Sequence, residues 1–361
     1  MIRVLLVGKG YPDRGGIPTY LDTLVRSSLS DTMDVSLLNV AHSGTPQGGR
    51  ASWVNLVRTL RDAVSVWRQA GSCDVVHVHT ALVPSVTAIR AGVLAAAGRA
   101  RGAVVLVHVH GGNLDLWLTG RARRLVLRLA MLPARQVVAV WGAGERALAG
   151  TLGPGRIRLL DNGVELDRFT RSAQQRHESP RVLYVGLLTP RKGVLDLLRA
   201  SQLLHARGVE HRLQLLGGTP DEGPQAEAAV RAELTDQVDL LGTRAPADMP
   251  AAYADADVFC LPSWWEAMPL SVLEAMAAGL PVVATDVGDI ARAVQNAVTG
   301  TVVPPRRPEE LADALELLLT DREARVRMGA AGRGRAEALF SAEVMVDGLR
   351  ALYADATRRK R

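Results

Sequence analysis

Lysine is nearly missing from this chain. Of 43 lysines and arginines, only Lys9, Lys192 and Lys360 are lysines, so arginine carries almost all the positive charge. A lysine kept inside a glycine-rich loop of such a chain suggests a need for a compact point charge. Cysteine is also scarce: Cys73 and Cys260 each stand beside an apolar run. That excludes a disulfide framework and a cysteine metal site, and it fits a reducing, cytoplasmic setting. Aromatic residues make up only 4%, too few for a base-stacking platform, so the net charge of +6 is not read as nucleic-acid binding. Long apolar runs are absent as well. Ala91–Val107 is broken by Arg99 and Arg101, which excludes an uninterrupted membrane span there. Met1–Gly10 shows no signal-peptide pattern and reads as a first strand.

What is present is an alternation of short apolar runs and amphipathic stretches. Its 361 residues are enough for two domains with separate cores. Runs at Ile2–Gly8, Val35–Val40, Asp74–Val78, Val104–Val109, Gln136–Trp141 and Arg156–Leu160 read as strands. So do Val182–Val185, Leu213–Gly217, Val238–Gly242, Val258–Leu261, Leu280–Ala284 and residues 301–303. Helical spacing predicts helices over Val54–Arg68, 84–98, Val194–Ala206 and Pro308–Thr320, with further helix toward the end of the chain. Strands alternating with helices indicate parallel α/β sheets. Trp117–Arg135 mixes five arginines with leucines and valine. It is open to two readings, a surface helix packed on a sheet or a basic amphipathic helix resting on anionic lipid.

Three loops follow strands and precede helices. The first holds Lys9, Arg14, Gly15 and Gly16. Bare backbone at a helix start lets an anion approach closely, although a Gly-Gly pair alone also suits a tight turn. The second runs from Gly186 to Gly193 and carries adjacent Arg191 and Lys192, an anion site or two solvated cations. The third, after Val258–Leu261, holds Glu266, with Pro269 placed to open a helix and Glu274 inside it. The helix start around Ala267, Met268, Pro269, Leu270 and Ser271 offers N–H donors beside an acceptor carboxylate. A phosphorylated, polyhydroxylated ligand needs both. His110 stands at the carboxyl end of a strand, where open parallel sheets bind ligands. It also suits the plainer role of closing the strand. The pairs His77/His79 and His108/His110 each share a strand face, but no third ligand is evident, so no metal is expected. Asp255-Ala256-Asp257 precedes its strand and reads as a helix-end turn.

Glu266, seven residues, Glu274 and the following Ala275–Gly288 closely resemble the signature of the retaining GT-B glycosyltransferases of family 4. The resemblance covers nearly the whole chain. It implies an α/β GT-B fold, two Rossmann-like domains facing an interdomain cleft. Residues 1–168 would form the acceptor-side domain, 169–180 a linker and 181–341 the nucleotide-sugar domain, with 342–361 packing back onto the first. The implied roles fall residue by residue. Glu266 approaches the donor sugar and Glu274 holds the ribose hydroxyls, beside the helix start at Ala267 to Leu270. Lys192 clamps the diphosphate. The family's arginine after the strand glycine Gly186 is Leu187 here, a departure for which Arg191, one residue before the lysine, is the candidate substitute. Gly15 and Gly16 lie against the diphosphate, and His110 faces the reacting sugar. Asn162 matches the family's Asn-Gly-Val-Asp segment, and Leu241 lies on the strand that reads the base through its backbone.

The implied function is transfer of a sugar from a nucleoside-diphosphate sugar to an acceptor hydroxyl, with retention, by front-face attack and without metal or cofactor. The acceptor would be a glycan or a lipid-linked intermediate, with the inner face of an anionic membrane as a further partner. Two alternatives remain open: a non-catalytic nucleotide-sugar binder, favoured by Leu187, and a nucleotide-sugar epimerase on a similar fold.

Overall fold

The computed structural model describes residues 1–13, 15–42, 51–170, 177–218 and 223–358, with side chains described for all of these except 223–227. Arg14, residues 43–50, positions 171–176 of the expected linker, residues 219–222 and residues 359–361 lie outside the described residues.

The chain divides into two compact units, Met1–Gly163 with Ala342–Arg361, and Val164–Ser341. In the first unit, β1 (Ile2–Gly8), β2 (Met33–Asn39), β3 (Val75–Thr80), β4 (Val104–Val109), β5 (Gln136–Ala139) and β6 (Ile157–Leu159) form one sheet in the order β2-β1-β3-β4-β5-β6. Every pairing is parallel. Strands of such a sheet are covered on both faces and therefore read as continuous apolar runs. All six residues of β4 are buried, and so are all four of β5. The strand order reverses between β1 and β3. Ligands of open α/β sheets bind at such a reversal, beyond the carboxyl ends of the strands.

The second unit repeats the plan. Its strands are β7 (Arg181–Val185), β8 (Arg212–Leu216), β9 (Val238–Gly242), β10 (Val258–Leu261), β11 (Val282–Thr285) and β12 (Gly300–Val303), ordered β12-β11-β10-β7-β8-β9, all parallel. Here the reversal falls between β7 and β10. Its core includes Leu183, Val194, Leu197, Phe259, Leu273 and Val283, none more than 1% exposed.

Several expectations shift. Val164 and Phe169 are buried in the second unit's core, so this unit takes up the chain ahead of the residues 169–180 read as linker. The strand β3 runs on through His79 and Thr80, which had been placed beyond its end. The strand expected from Leu280 begins at Val282 because Leu280 turns back, its N–H donating to the carbonyl of Ala275. Only Arg121–Ala130 within Trp117–Arg135 is a helix longer than one turn. Asp255 sits at the end of the helix Met249–Ala254 and pairs with Arg181, while Asp257 accepts from the Arg181 N–H.

The inward face of the helix Trp53–Ala70 carries Asp62, Val66 and Ala70, and the buried Asp62 holds Arg90 at 2.7 Å and His42 at 3.1 Å. The apolar side, with Trp53, Val57, Leu60, Val64 and Trp67, therefore faces outward, each of these residues being at least 46% exposed. None of the described helices is long and apolar enough to cross a membrane.

Candidate functional site

The loops after β7 and β10 emerge at the reversal of the second sheet, and close backbone contacts hold them together. Gly193 has φ 69°, a left-handed conformation that favours glycine. A Cβ there would stand 1.9 Å from the Pro262 carbonyl oxygen, so only glycine lets the two loops approach this closely. The Trp264 N–H donates to the Arg191 carbonyl at 2.9 Å, and the Trp264 indole donates to Asp196 at 2.6 Å. The Arg306 guanidinium lies over the Trp264 ring, 4.3 Å from its centroid.

This docking brings Lys192 to Glu266. The ammonium donates to Glu266 Oε1 at 2.5 Å, and the Ser263 hydroxyl donates to the same oxygen at 2.7 Å. Both ionic side chains are largely withdrawn from water, 17% and 8% exposed. Removing one partner from such a pair leaves a charge with little solvation, which makes the arrangement stiff. Ser263 is in turn fixed by the Thr285 hydroxyl, which donates to its carbonyl. From β11, Gly288 packs so closely that a Cβ would lie 2.2 Å from the Glu266 carbonyl, and the Asp289 N–H donates to Ala267. Three loops thus set the position of one carboxylate.

Arg191 is exposed, and its guanidinium reaches the Trp265 carbonyl at 3.4 Å. Leu187 is 41% exposed, and its carbonyl accepts from the buried Tyr184 hydroxyl at 2.6 Å. Gly186 is tightly packed, since the Cβ of an alanine at Gly217 would fall 1.7 Å from its carbonyl oxygen. Leu241 is half-buried on β9.

The helix Leu270–Ala277 begins at Pro269, which occupies the capping position with extended backbone instead of the expected first turn. No acidic residue lies in its first turn, which keeps the positive end of the helix uncompensated by its own side chains. Ala267 and Met268 are buried beneath it. Glu274 accepts from the Tyr253 hydroxyl at 2.6 Å. Desolvation raises the Glu274 carboxyl above its ordinary value, opposed by the Tyr253 hydrogen bond and the charge of Arg168. At the far end, Arg333 donates to the Ala277 carbonyl, placing a cation where the helix dipole favours one.

In the first unit, Gly15 precedes the helix Gly16–Arg26 with φ 120°, and nothing lies within 4 Å of a Cβ built on Gly15 or Gly16. The backbone there is open to a close-approaching group. Lys9 is already paired with Asp13 at 3.2 Å. His110 follows β4, its N–H donating to the Thr80 carbonyl at 2.9 Å. Its ring meets Tyr20, 4.6 Å between centroids, and its Nε2 stands 3.0 Å from His79 Nδ1. Asn162 is buried.

Behind His110 lies a group that sequence reading did not assemble. Register pairs His79 with His108, so both His-x-His pairs share one buried face. His77, His79 and His108 each offer a ring nitrogen, all within 4.8 Å of one another. The third histidine missing along either strand is therefore supplied across the sheet. Desolvation is the main cause that pushes His77 and His110 down to about 3, and His79 and His108 well below the ordinary value, so all four rings are neutral.

Ser263 and Tyr253 were also missed. Ser263 had one signal, its spacing of three residues before Glu266 in a tight loop. Tyr253 had none, because it reaches Glu274 only through the fold.

Residues 167–335 match the family described as Glycosyl transferases group 1, and residues 14–168 match Glycosyltransferase Family 4. The chain is 31% identical to the GDP-mannose-dependent alpha-(1-6)-phosphatidylinositol monomannoside mannosyltransferase of Mycobacterium tuberculosis, over 92% of this chain and 93% of that one. It is 32% identical to the alpha-D-kanosaminyltransferase of Streptomyces kanamyceticus, over 66% of this chain and 59% of that protein. Among solved structures it resembles a sucrose-phosphate synthase from Thermosynechococcus elongatus, with TM-score 0.78, 23% identity and coverage of 98% and 99%. Anabaena HepE in complex with UDP-glucose aligns with TM-score 0.78, 18% identity and coverage of 98% and 100%.

Proposed function

Because this chain belongs to the family 4 glycosyltransferases, group 1, a GT-B family of sugar-transferring proteins, we propose that it moves a sugar from a nucleoside diphosphate to an acceptor hydroxyl with retention. The observation that carries this reading is the Lys192–Glu266 pair at the reversal of the second sheet, beside an uncompensated helix start.

Breaking the sugar–phosphate bond builds negative charge on the diphosphate and positive charge on the ring. Lys192, Arg191 and the helix-start amides of Leu270 and Ser271 would meet the first without a metal. One preorganised donor of this kind is worth about 3 kcal/mol. Glu266 meets the sugar, and Glu274 accepts from the ribose hydroxyls. The acceptor oxygen bonds to the anomeric carbon on the face that the phosphate leaves, and its proton passes to the departing phosphate oxygen. Gly186 and Leu241 line the nucleotide side through their backbones. In the first unit we assign the open backbone of Gly15 and Gly16 to an anionic group and His110 to a sugar hydroxyl. Asn162 supports that edge from within.

The mycobacterial relative is named for GDP-mannose, and the HepE complex holds UDP-glucose. Thermal shift against GDP-, UDP- and ADP-sugars therefore comes first, since a ligand of the native state raises its melting point. One of them should stabilise the wild type and not Lys192→Ala, and its turnover should be indifferent to added Mg2+ or Mn2+. A wild type that binds the donor but neither hydrolyses nor transfers it would leave a nucleotide-sugar binder instead.

The same relative acts on a phosphatidylinositol-linked acceptor by its name. The outward apolar face of Trp53–Ala70, carried on a helix with Arg58, Arg61 and Arg68, favours a lipid-linked acceptor taken at the inner face of an anionic membrane. The exposed Leu125, Leu129 and Leu132 add to it.

A further inference from the structure

We propose that His77, His79 and His108 bind one divalent transition-metal ion of the zinc class, buried in the first unit beneath His110. Three observations converge on it. The first is placement. Each strand alternates histidine with valine, and the parallel register sets the histidines of β3 and β4 on one buried face. Three ring nitrogens, one from each residue, already lie within 4.8 Å of one another. Zinc–imidazole bonds of about 2.0 Å in a tetrahedron require nitrogens about 3.3 Å apart, so the rings draw together by up to about 1.5 Å when the ion binds.

The second is what the nitrogens lack. His77 Nε2, His79 Nε2 and both nitrogens of His108 are buried without a hydrogen-bond partner. An unsatisfied buried polar atom is unfavourable, and such atoms in native structures call for an explanation. A single cation takes three of these lone pairs together.

The third is the outer ring of partners. His77 Nδ1 stands 2.6 Å from the Tyr353 hydroxyl, and His79 Nδ1 stands 3.0 Å from His110 Nε2. Metal-bound histidines engage their second nitrogen in this way, which fixes the tautomer and turns the other lone pair toward the ion. An all-imidazole donor set selects zinc, copper, nickel or cobalt over magnesium or calcium. The Tyr20 ring, whose buried hydroxyl also lacks a hydrogen-bond partner, lies 5.1 Å from that of His108 and 5.5 Å from that of His79, which makes it a candidate for the fourth position.

The ion would also set the state of His110. With His79 Nε2 on the metal, the His79 proton sits on Nδ1 and is donated to His110 Nε2. The His110 proton is then confined to Nδ1.

The test uses the tag-free full chain, with metal content measured after dialysis and cobalt titrated as a spectroscopic probe. The expected result is one equivalent of metal per chain, with cobalt giving the intense visible bands of a tetrahedral site and zinc displacing it. His108→Leu should lose the metal and the bands while keeping its circular dichroism, and Cys73→Ser should change neither. If the leucine variant does not fold, the wild-type cobalt spectrum decides. A wild type with no metal, no tetrahedral bands and no zinc-dependent rise in melting point overturns the site, leaving a stack of neutral rings. Metal retained by a folded His108→Leu overturns it equally.

Discussion

Lys192 and Glu266 meet at 2.5 Å although 74 residues separate them in the chain, because each leaves a strand bordering the reversal of the second sheet. Lys192→Ala leaves the Glu266 carboxylate with Ser263 as its one remaining partner among those described above. The expected result is a destabilisation of about 3 kcal/mol, seen as a lowered urea midpoint, and turnover reduced about 10²–10³-fold. Lys192→Met combined with Glu266→Gln should recover much of the stability and none of the turnover. Recovery of both would remove the pair from the chemistry.

Glu274 gives a pH dependence with a definite sign. Its folded-state value is raised by desolvation. Its contribution to stability is therefore full below the ordinary carboxylate value, about 4.3, and lost as pH rises through the raised one. Donor binding runs the other way, because ribose hydroxyls donate to the ionised form. Donor affinity should fall as pH drops through the raised value. Tyr253→Phe removes a hydrogen bond that lowers that value, so the affinity midpoint should move to higher pH. An unmoved midpoint in calorimetric titrations would separate Glu274 from the donor.

Two glycines make opposed predictions. Gly193→Ala forces a Cβ to 1.9 Å from the Pro262 carbonyl at a left-handed φ, so it should destabilise the fold by several kcal/mol and abolish turnover. Gly16→Ala meets nothing within 4 Å and sits at a helix start, where alanine is a better helix former. Its melting temperature should match or exceed the wild type. Loss of activity in that variant would then report a ligand pressed against the backbone.

Vesicle flotation at low salt tests the outward face of Trp53–Ala70. Vesicles rich in phosphatidylglycerol should bind the wild type, with affinity falling as salt rises, and those of phosphatidylcholine alone should bind it weakly. Trp53→Ser with Leu60→Ser should reduce binding several-fold without lowering the melting temperature, because both side chains are more than half exposed. Equal binding by the variant would move the contact elsewhere.

Local pattern made much of this chain legible. Val258–Leu261, Val194–Ala206 and Pro308–Thr320 have the bounds that their apolar spacing predicts, because turn residues or polar breakers flank each one. The proximity of Lys192 to Glu266 followed from likeness to a family and not from spacing, since a contact across two loops leaves no local trace. The histidine cluster was hidden for a related reason. Period two shows that His77 and His79 share a face, but only register shows which residues of the neighbouring strand share it with them. The direction of the Trp53–Ala70 stripe was hidden too, because Asp62 is drawn inward by Arg90 and His42, both outside the helix.

The first unit is finished by the end of the chain. Ala342–Arg358 buries Met345, Val346, Leu349 and Tyr353, and it places the Tyr353 hydroxyl on His77. During synthesis, Met1–Gly163 leaves the ribosome well before this helix exists. At ordinary translation speeds the delay is roughly 10–40 s, during which His77 has no phenol beside it and the groove for the helix is uncovered. The nascent first unit is thus exposed to chaperones and proteases for that interval, and a stop codon anywhere after Gly163 and before residue 342 yields a protein whose first unit never closes.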